Sequence, residues 1–128
     1  MKRILPPIML LLLAASCAQK NWLYKGSHDG VDISYRWNHP VNKPSELVLR
    51  MQNTASEDKR VEVVIDLFYQ GRTVETLLAD TCIRVGQTLD GKVNGIYFVP
   101  ERLNTTQIKD GGTNVELTNT GVSSAVCR

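Results

Sequence analysis

Alternation of apolar and polar residues dominates the chain from residue 31 onward. The apolar positions fall at every second residue in three runs: Val31, Ile33, Tyr35 and Trp37; Leu47, Leu49 and Met51; and Val61, Val63, Ile65, Leu67 and Tyr69. A period of two is typical of half-buried strands. In the third run Val64 and Phe68 interrupt the polar face, which predicts a central strand with a partly covered second face. The pattern predicts an all-β domain.

Turn residues divide the remaining sequence into further short strands. Strands are predicted at 72–79, 81–85, 91–99, 114–118 and 122–127, and one helical turn within 101–108. Asp29-Gly30, Gln70-Gly71 and Asp90-Gly91 are turn signals between them. Seven or eight strands in about 100 residues predict a single antiparallel two-sheet sandwich or a small barrel. The polar segment 53–59 fits a crossover between sheets and favours the sandwich.

The first 16 residues have the composition of an export signal. Met1-Lys2-Arg3 is basic, residues 4–15 are mostly apolar, and Ala14-Ala15-Ser16 are small. A basic start, a short apolar run and small residues before the cleavage site are the three parts of a secretory signal peptide. The apolar run is shorter than the roughly 20 residues that span a bilayer. We therefore expect a signal helix in residues 1–16 that is absent from the mature protein.

The segment 13–17, Leu-Ala-Ala-Ser-Cys, resembles the lipobox of bacterial lipoproteins. The resemblance implies that Cys17 becomes the first mature residue and carries acyl groups, including palmitate, that anchor the protein in a membrane. Ala14 departs from the pattern, which usually has Leu at that position. The alternative is cleavage after Ala18, which gives a soluble periplasmic or secreted protein beginning at Gln19.

The lipoprotein interpretation sets the organisation and the location of the chain. It assigns residues 1–16 to the signal peptide, 17–29 to the lipidated cysteine and a tether, and 30–128 to the β-sandwich domain. Ala18-Gln19 lacks the Asp that often marks retention in the inner membrane, so the resemblance implies the outer membrane. Whether the domain lies on the periplasmic or the surface face stays open.

The charge balance argues against a nucleic-acid partner. The chain has 15 Lys and Arg against 13 Asp and Glu, and Lys2 and Arg3 belong to the signal, which leaves 13 of each sign. Nucleic-acid binding draws its affinity from a surplus of basic residues facing phosphates. The domain has no such surplus.

Cysteine usage agrees with export. With Cys17 assigned to lipid, Cys82 and Cys127 remain as an even pair. Such a pair usually forms a disulfide in an oxidising compartment. The alternative is two free thiols, whereas the absence of a Cys-x-x-Cys motif argues against a redox or metal function.

Residues 46–100 look like the immunoglobulin-like or fibronectin-III-like domains of small bacterial lipoproteins. The resemblance is carried by 46–53, by 60–76 with its Gln70-Gly71 corner, and by 81–86 leading to 94–98. The Cys…Trp…Cys signature of antibody-type domains is missing, since Trp37 precedes both Cys82 and Cys127. The resemblance implies a sandwich and transfers no functional residue.

No arrangement of residues indicates catalysis. His28 is followed by Asp29, but adjacent side chains on an extended backbone point to opposite sides. The sequence has no Gly-x-Ser-x-Gly motif, and no four ligands at zinc-site spacing accompany His28 and His39. We expect a protein that is not an enzyme and that holds neither a cofactor nor a metal.

The remaining candidates are aromatic side chains that contact a partner, namely Trp22, Tyr24 and Trp37, although Trp37 shares the predicted inward face with Tyr35. The favoured function is a membrane-anchored envelope lipoprotein that acts as a non-catalytic protein-binding or scaffold module for another envelope protein. A small-ligand or carbohydrate-binding lipoprotein is the alternative, and a purely structural envelope component is the third. The oligomeric state stays open.

Overall fold

The computed structural model describes residues 21–128, so the predicted signal helix and Cys17 lie outside the described residues. The described chain forms eight strands and two short helices: β1 Leu23–His28, β2 Val31–Asn38, β3 Glu46–Asn53, β4 Lys59–Tyr69, β5 Arg72–Ile83, β6 Thr88–Asp90, α1 Gly91–Asn94, β7 Tyr97–Phe98, α2 Thr105–Lys109 and β8 Thr113–Ser124. All strand pairs are antiparallel. The all-β prediction is confirmed.

Two sheets divide the strands between them. The first sheet has the order β1-β2-β3-β6, with β7 also paired to β3, and the second sheet has the order β5-β4-β8. The chain passes from the first sheet to the second through the segment between β3 and β4. This is the crossover that the polar residues 53–59 predicted.

The core lies between the inner faces of the two sheets. Most of the fully buried side chains are those of the alternating runs: Val31 and Ile33 in β2; Leu47, Leu49 and Met51 in β3; Val61, Val63, Ile65 and Leu67 in β4. Ala79, Ile83, Leu89, Ile96, Leu103, Ile108 and Val115 from the later elements complete the cluster. Each fully buried aliphatic side chain contributes about 1.5–3 kcal/mol to stability through the hydrophobic effect.

Two hairpin turns of the same kind set the register of both sheets. Asp29 and Gly30 have φ of 50° and 85°, and Gln70 and Gly71 have φ of 52° and 82°. Positive φ at both central residues is typical of type I′ turns, whose twist matches that of the flanking strands. The second hairpin was predicted from the sequence. The first was recognised only as a turn.

The chain upstream of Asp29 is a strand over most of its described length. Residues 17–29 were assigned to a tether, but β1 begins at Leu23 and pairs along β2 up to His28. The prediction failed because β1, with the sequence LYKGSH, has almost no apolar alternation. Main-chain hydrogen bonds to β2, rather than burial of its own side chains, hold this strand in place.

Two pairs of predicted strands are each a single strand in the structure. Residues 72–79 and 81–85 were predicted as two strands but belong mainly to the single strand β5, and 114–118 and 122–127 likewise merge into β8. Asp80 and the segment 119–121 lie between the paired predictions and are inside these strands. On an edge strand such residues face solvent without interrupting the main-chain ladder.

The segment 91–99 is not one strand. It contains α1 and the two-residue β7, and in it Val93 is 87% exposed while Ile96 is buried. Gly91 packs directly on the outward-facing Val48 of β3, where any side chain would collide with the valine methyl. The chain turns over Val48 instead of continuing straight.

Candidate functional site

The outer face of the first sheet holds two of the three aromatic side chains singled out from the sequence. Trp22, just before β1, stacks against the guanidinium groups of Arg36 and Arg50 on this face. Tyr24 lies beside it and is 63% exposed. Trp37 faces the other way and packs against the core. The structure thus brings Trp22 and Tyr24 together and separates Trp37 from them.

Further aromatic and basic side chains extend this group across the sheet. We call it the aromatic–cation cluster, and its members are Trp22, Tyr24, Arg36, Arg50, Lys92 and Tyr97. Arg36 Cζ lies 5.0 Å and Arg50 Cζ 5.7 Å from the centroid of the Trp22 ring. Lys92 Nζ lies 4.5 Å from the centroid of the Tyr97 ring. Each such cation–π contact contributes about 0.5–1 kcal/mol at an exposed site.

The cations of the cluster differ in their partners. Lys92 Nζ donates to Glu46 Oε2 at 2.7 Å, and this hydrogen bond raises the pKa of Lys92. The same bond, together with one from Asn38 Nδ2, lowers the pKa of Glu46. Within residues 21–128, Arg36 and Arg50 form no salt bridge, and Arg36 Nε has no hydrogen-bond acceptor. Two guanidinium charges therefore remain without a carboxylate partner in the described chain.

A shallow depression borders the cluster on the same face. Its volume is ≈ 180 Å³, and its lining residues are Tyr24, Asp32, Ser34, Arg50 and Gln52. Pockets that enclose small organic ligands usually measure about 300–1,000 Å³. The depression is smaller than this range and holds at most a small polar group.

A larger hollow lies on the outer face of the second sheet, where Gly121 of β8 has no side chain. Its volume is ≈ 290 Å³, with Val64 and Leu78 as its apolar walls and Glu62 and Asp80 among the polar lining. Leu78 is 70% exposed, an unusual position for a leucine in mid-strand. A Cβ placed on Gly121 would meet nothing closer than the Glu62 carbonyl oxygen at 4.0 Å, so space exists directly above the glycine.

Carboxylates surround this hollow. Arg60 donates to both oxygens of Asp80, from Nε at 3.2 Å and from an Nη at 2.8 Å, and also lies 3.4 Å from Glu62. The hydrogen bonds from Arg60 lower the pKa of Asp80. Asp66, which accepts a hydrogen bond from Thr76, adds a third carboxylate on this face just beyond the lining of the hollow. Negative charge predominates around the hollow.

The two edges of the second sheet are protected to different degrees. At β5, Glu75 Oε1 accepts hydrogen bonds from the backbone N–H groups of Glu101 and Arg102, at 3.0 and 2.9 Å, which holds a loop beside that edge. The C-terminal half of β8, residues 119–124, has the sequence Asn-Thr-Gly-Val-Ser-Ser, without charge or proline. Charges and prolines are the usual means by which proteins block edge strands. A bulge before residue 119 interrupts the edge at one point only.

The other half of β8 is covered by β1. Lys25 Nζ lies 3.5 Å from Glu116 Oε2 and 5.8 Å from the centroid of the Tyr35 ring. Burial, and after it the charge of Glu116, raises the pKa of Tyr35. This contact places β1 beside the start of β8, whereas residues 119–124 lie further along an edge whose only strand partner in the described chain is β4.

The C-terminus is fixed by the predicted disulfide. Cys82 and Cys127 are bonded, with their Cα atoms 5.6 Å apart, so this prediction is confirmed. Next to it, the Asp58 carboxylate accepts hydrogen bonds from the backbone N–H groups of Val85 and Cys127, each at 3.0 Å. The bond from Cys127, followed by that from Val85, lowers the pKa of Asp58.

One polar cluster was missed by sequence reasoning. His39 Nδ1 lies 2.7 Å from Ser45 Oγ, and Ser45 Oγ lies 2.7 Å from Thr105 Oγ1 at the start of α2. Ser45 is 2% exposed, which leaves no path for a substrate to reach its hydroxyl. Burial, and then the charge of Lys109, lowers the pKa of His39. The cluster attaches α2 to the β2–β3 loop, and neither histidine belongs to a group that could hold a metal ion within residues 21–128.

Neither a search for membrane-spanning helices nor a comparison with known proteins assigns a function. None of the helices in residues 21–128 is long and apolar enough to cross a membrane. The chain matches no protein-family model, and searches of curated proteins and of solved structures also found no match. A functional assignment therefore rests on the two surfaces described above and on the sequence around Cys17.

Proposed function

We propose that this protein is an envelope lipoprotein, anchored through Cys17, whose β-sandwich binds another envelope protein and has no catalytic role. The observation that carries the proposal is the open half of the β8 edge beside the hollow over Gly121. The likeness of residues 13–17 to a lipobox supports the anchor, and the disulfide is in keeping with an exported protein. The favoured location is the outer membrane.

The proposed fold family is immunoglobulin-like. The order β2-β3-β6 in the first sheet and β5-β4-β8 in the second is the order of strands A-B-E and C′-C-F in an immunoglobulin sandwich. In that sandwich a strand G pairs with F, the counterpart of β8. Within residues 21–128 no strand occupies the position of G. The partner that we propose supplies a strand there.

Main-chain hydrogen bonds along residues 119–124 would give such a partner its affinity. Strand addition to an exposed sheet edge is a recurrent mode of peptide recognition, in which pockets for alternate side chains provide specificity. The hollow over Gly121 is such a pocket, because a side chain from an adjacent strand can cross the glycine and contact Val64 and Leu78. The carboxylates of Glu62 and Asp80 favour an apolar residue flanked by basic ones.

The small-ligand alternative has less support. The depression beside Tyr24 is only ≈ 180 Å³, and the Trp22 ring already stacks against Arg36 and Arg50. A sugar-binding site needs an aromatic ring face that the sugar can reach. A purely structural role remains the third possibility, and it predicts that filling the hollow has no effect on any partner.

The binding proposal is tested by photo-crosslinking in the producing cells with the full-length, processed chain. A photoreactive amino acid replaces Leu78 at the hollow. In a control chain it replaces Val93, which is even more exposed but belongs to α1, beside the first sheet. We expect one crosslinked partner from position 78 and none from position 93. A crosslink of the same protein from both positions would show contact without use of the hollow.

A matched pair of variants makes this test specific. Gly121→Val fills the hollow, whereas Asn114→Val places the same side chain on the outer face of the same strand away from the hollow. The crosslink from position 78 should disappear with Gly121→Val and persist with Asn114→Val. A crosslink that survives Gly121→Val contradicts the proposed binding mode.

The anchor is tested separately by the intact mass of protein extracted from membranes, with and without reductant. The proposal requires residues 17–128 plus acyl groups, with a gain of about two hydrogens on reduction of the disulfide. Cys17→Ala should abolish the acylated species. A mature chain that begins at Gln19 without lipid would show that the anchor is wrong and that the protein is soluble after export.

A further inference from the structure

We infer that the aromatic–cation cluster rests on the phosphate headgroups of the membrane that holds the anchor. The outer face of the first sheet then faces the bilayer. The inference rests on the proposed function, because it requires Cys17 to be acylated. It adds a defined orientation of the domain and a lipid-binding surface.

Covalent geometry limits how far the cluster can be from the membrane. Cys17 and Trp22 are five residues apart. A fully extended chain covers about 3.3–3.6 Å per residue, so the two Cα atoms are separated by at most about 18 Å. The headgroup layer adds roughly 5–8 Å on each side of the hydrocarbon core. In a fully extended conformation Trp22 would lie at most about 10–13 Å beyond the headgroup layer, and any less extended conformation brings it closer.

The chemistry of the cluster fits this position. Tryptophan and tyrosine combine an apolar ring with a polar group and are enriched at membrane interfaces. Arginine donates several hydrogen bonds in a geometry that matches phosphate oxygens. Trp22 and Tyr24 supply the rings, and Arg36 and Arg50 supply the guanidiniums.

The charges of Arg36 and Arg50 are available for an external anion. Asp32 and Asp90 also project from this sheet, but neither forms a salt bridge with these arginines. Residues 1–20 contain no Asp or Glu, so the remaining chain supplies no carboxylate to them either. A phosphate group supplies acceptors and negative charge together.

This orientation is compatible with the proposed partner site. The hollow over Gly121 lies on the outer face of the second sheet, the opposite side of the sandwich. With the first sheet against the bilayer, that hollow faces away from the membrane. The short link at Cys17 thus presents the proposed binding surface to the surrounding compartment.

The test uses the acylated chain reconstituted in vesicles of phosphatidylglycerol and phosphatidylcholine with brominated acyl chains, which quench nearby tryptophan fluorescence. Trp37→Phe leaves Trp22 as the only tryptophan. We expect strong quenching of Trp22, and weaker quenching in Arg36→Gln/Arg50→Gln. Each arginine near an anionic surface shifts the balance between contacting and free orientations by about fivefold.

Arg72→Gln/Arg84→Gln is the matched control, because it removes the same charge from positions outside the cluster and should leave quenching unchanged. An acylated chain whose Trp22 is not quenched, or is quenched equally in the Arg36→Gln/Arg50→Gln variant, overturns this inference alone. The mass of the same sample reports acylation. A chain without acyl groups overturns the anchor and this inference with it, so the two failures are distinguishable.

Discussion

Cys82 and Cys127 connect opposite sides of the second sheet. Cys82 belongs to the edge strand β5, whereas Cys127 lies three residues beyond the end of β8, the other edge strand, and β4 lies between them. The C-terminal residues must therefore cross the end of β4, where the Asp58 carboxylate accepts the Cys127 N–H. The bridge keeps β8 in place although its outer edge has no partner strand over residues 119–124.

Removal of this disulfide should destabilise the domain strongly. The bonded cysteines are 45 residues apart. For a loop of that size the chain-entropy model gives about 4 kcal/mol. Cys82→Ser and Cys127→Ser should each lower the free energy of unfolding in urea by this amount. The reduced wild type should match them, and a loss below about 1 kcal/mol would show that Asp58 and the β4–β8 pairing hold the C-terminus without the bridge.

Much of the fold was predictable because the strands that build the core carry a clear period of two. In β2, β3 and β4 every inward position named from the sequence, from Val31 to Leu67, is buried or packs on the core. The period-two alternation does not reveal a strand that is held in place mainly by main-chain hydrogen bonds. β1 has no apolar face to detect, and at the next turn Gly91 packs on Val48, which is 43 positions away in sequence.

The functional surfaces were less predictable than the core. Trp22 and Tyr24 were predicted from the sequence as contact residues, but Arg36 and Arg50 were not. Outward-facing arginines on strands are common, and only the strand register shows that both guanidiniums lie beside the Trp22 ring. The hollow over Gly121 had no sequence signal. The hollow exists because Gly121 of β8 lies opposite Glu62, while Leu78 projects from β5 on the other side of β4. These residues come together only through the pairing of β4 with both of its neighbours.

Acid should weaken the Glu46–Lys92 contact. The folded-state pKa of Glu46 is lowered, chiefly by the hydrogen bond from Lys92 and then by that from Asn38. A carboxyl group with a lowered folded-state pKa contributes stability above its unfolded pKa of about 4.3, and this contribution is lost as the pH falls through the folded-state value. Glu46→Gln should therefore lose less stability than the wild type between about pH 5 and pH 3.

Urea denaturation at a series of pH values measures this difference. Lys92→Met serves as the partner variant, since it removes the largest cause of the lowered pKa and leaves Glu46 in place. Its stability should also depend less steeply on pH. A pH dependence of Glu46→Gln identical to that of the wild type would falsify the assignment of this carboxylate as a contributor to acid sensitivity.

The N-terminus of α2 depends on a capping box. Asn104 Oδ1 accepts the N–H of Gln107 at 2.8 Å, and Gln107 Oε1 accepts the N–H of Asn104 at 3.0 Å. Asn104→Ala should lower the free energy of unfolding by about 1 kcal/mol. Asn104→Asp should be nearly as stable as the wild type, because Asp can also accept the N–H of Gln107. Chemical denaturation measures both, with Asn114→Ala as the control on an exposed strand position. Equal stability of Asn104→Ala and the wild type would mean that the Ser45–Thr105 contact alone holds α2.

The two type I′ turns provide a matched comparison of backbone strain and steric contact. Gly30 and Gly71 have nearly equal φ, 85° and 82°, but a Cβ on Gly30 would lie 2.8 Å from Ala55 Cβ, whereas one on Gly71 would meet nothing within 4 Å. Gly71→Ala should destabilise the domain by about 1–2 kcal/mol through the left-handed conformation alone. Gly30→Ala should lower the free energy of unfolding by about 1–3 kcal/mol more, because the new methyl group also overpacks the contact with Ala55.

A second substitution separates these two contributions. Ala55→Gly removes the atom that the new methyl group meets, so Gly30→Ala/Ala55→Gly should recover the steric part of the loss relative to the sum of the single variants. Ala55→Gly in the Gly71→Ala background should be simply additive, because that turn does not contact residue 55. Free energies of unfolding in urea measure all five variants. If Gly30→Ala and Gly71→Ala prove equally destabilising, the β3–β4 loop yields to the methyl group and does not hold the first hairpin rigidly.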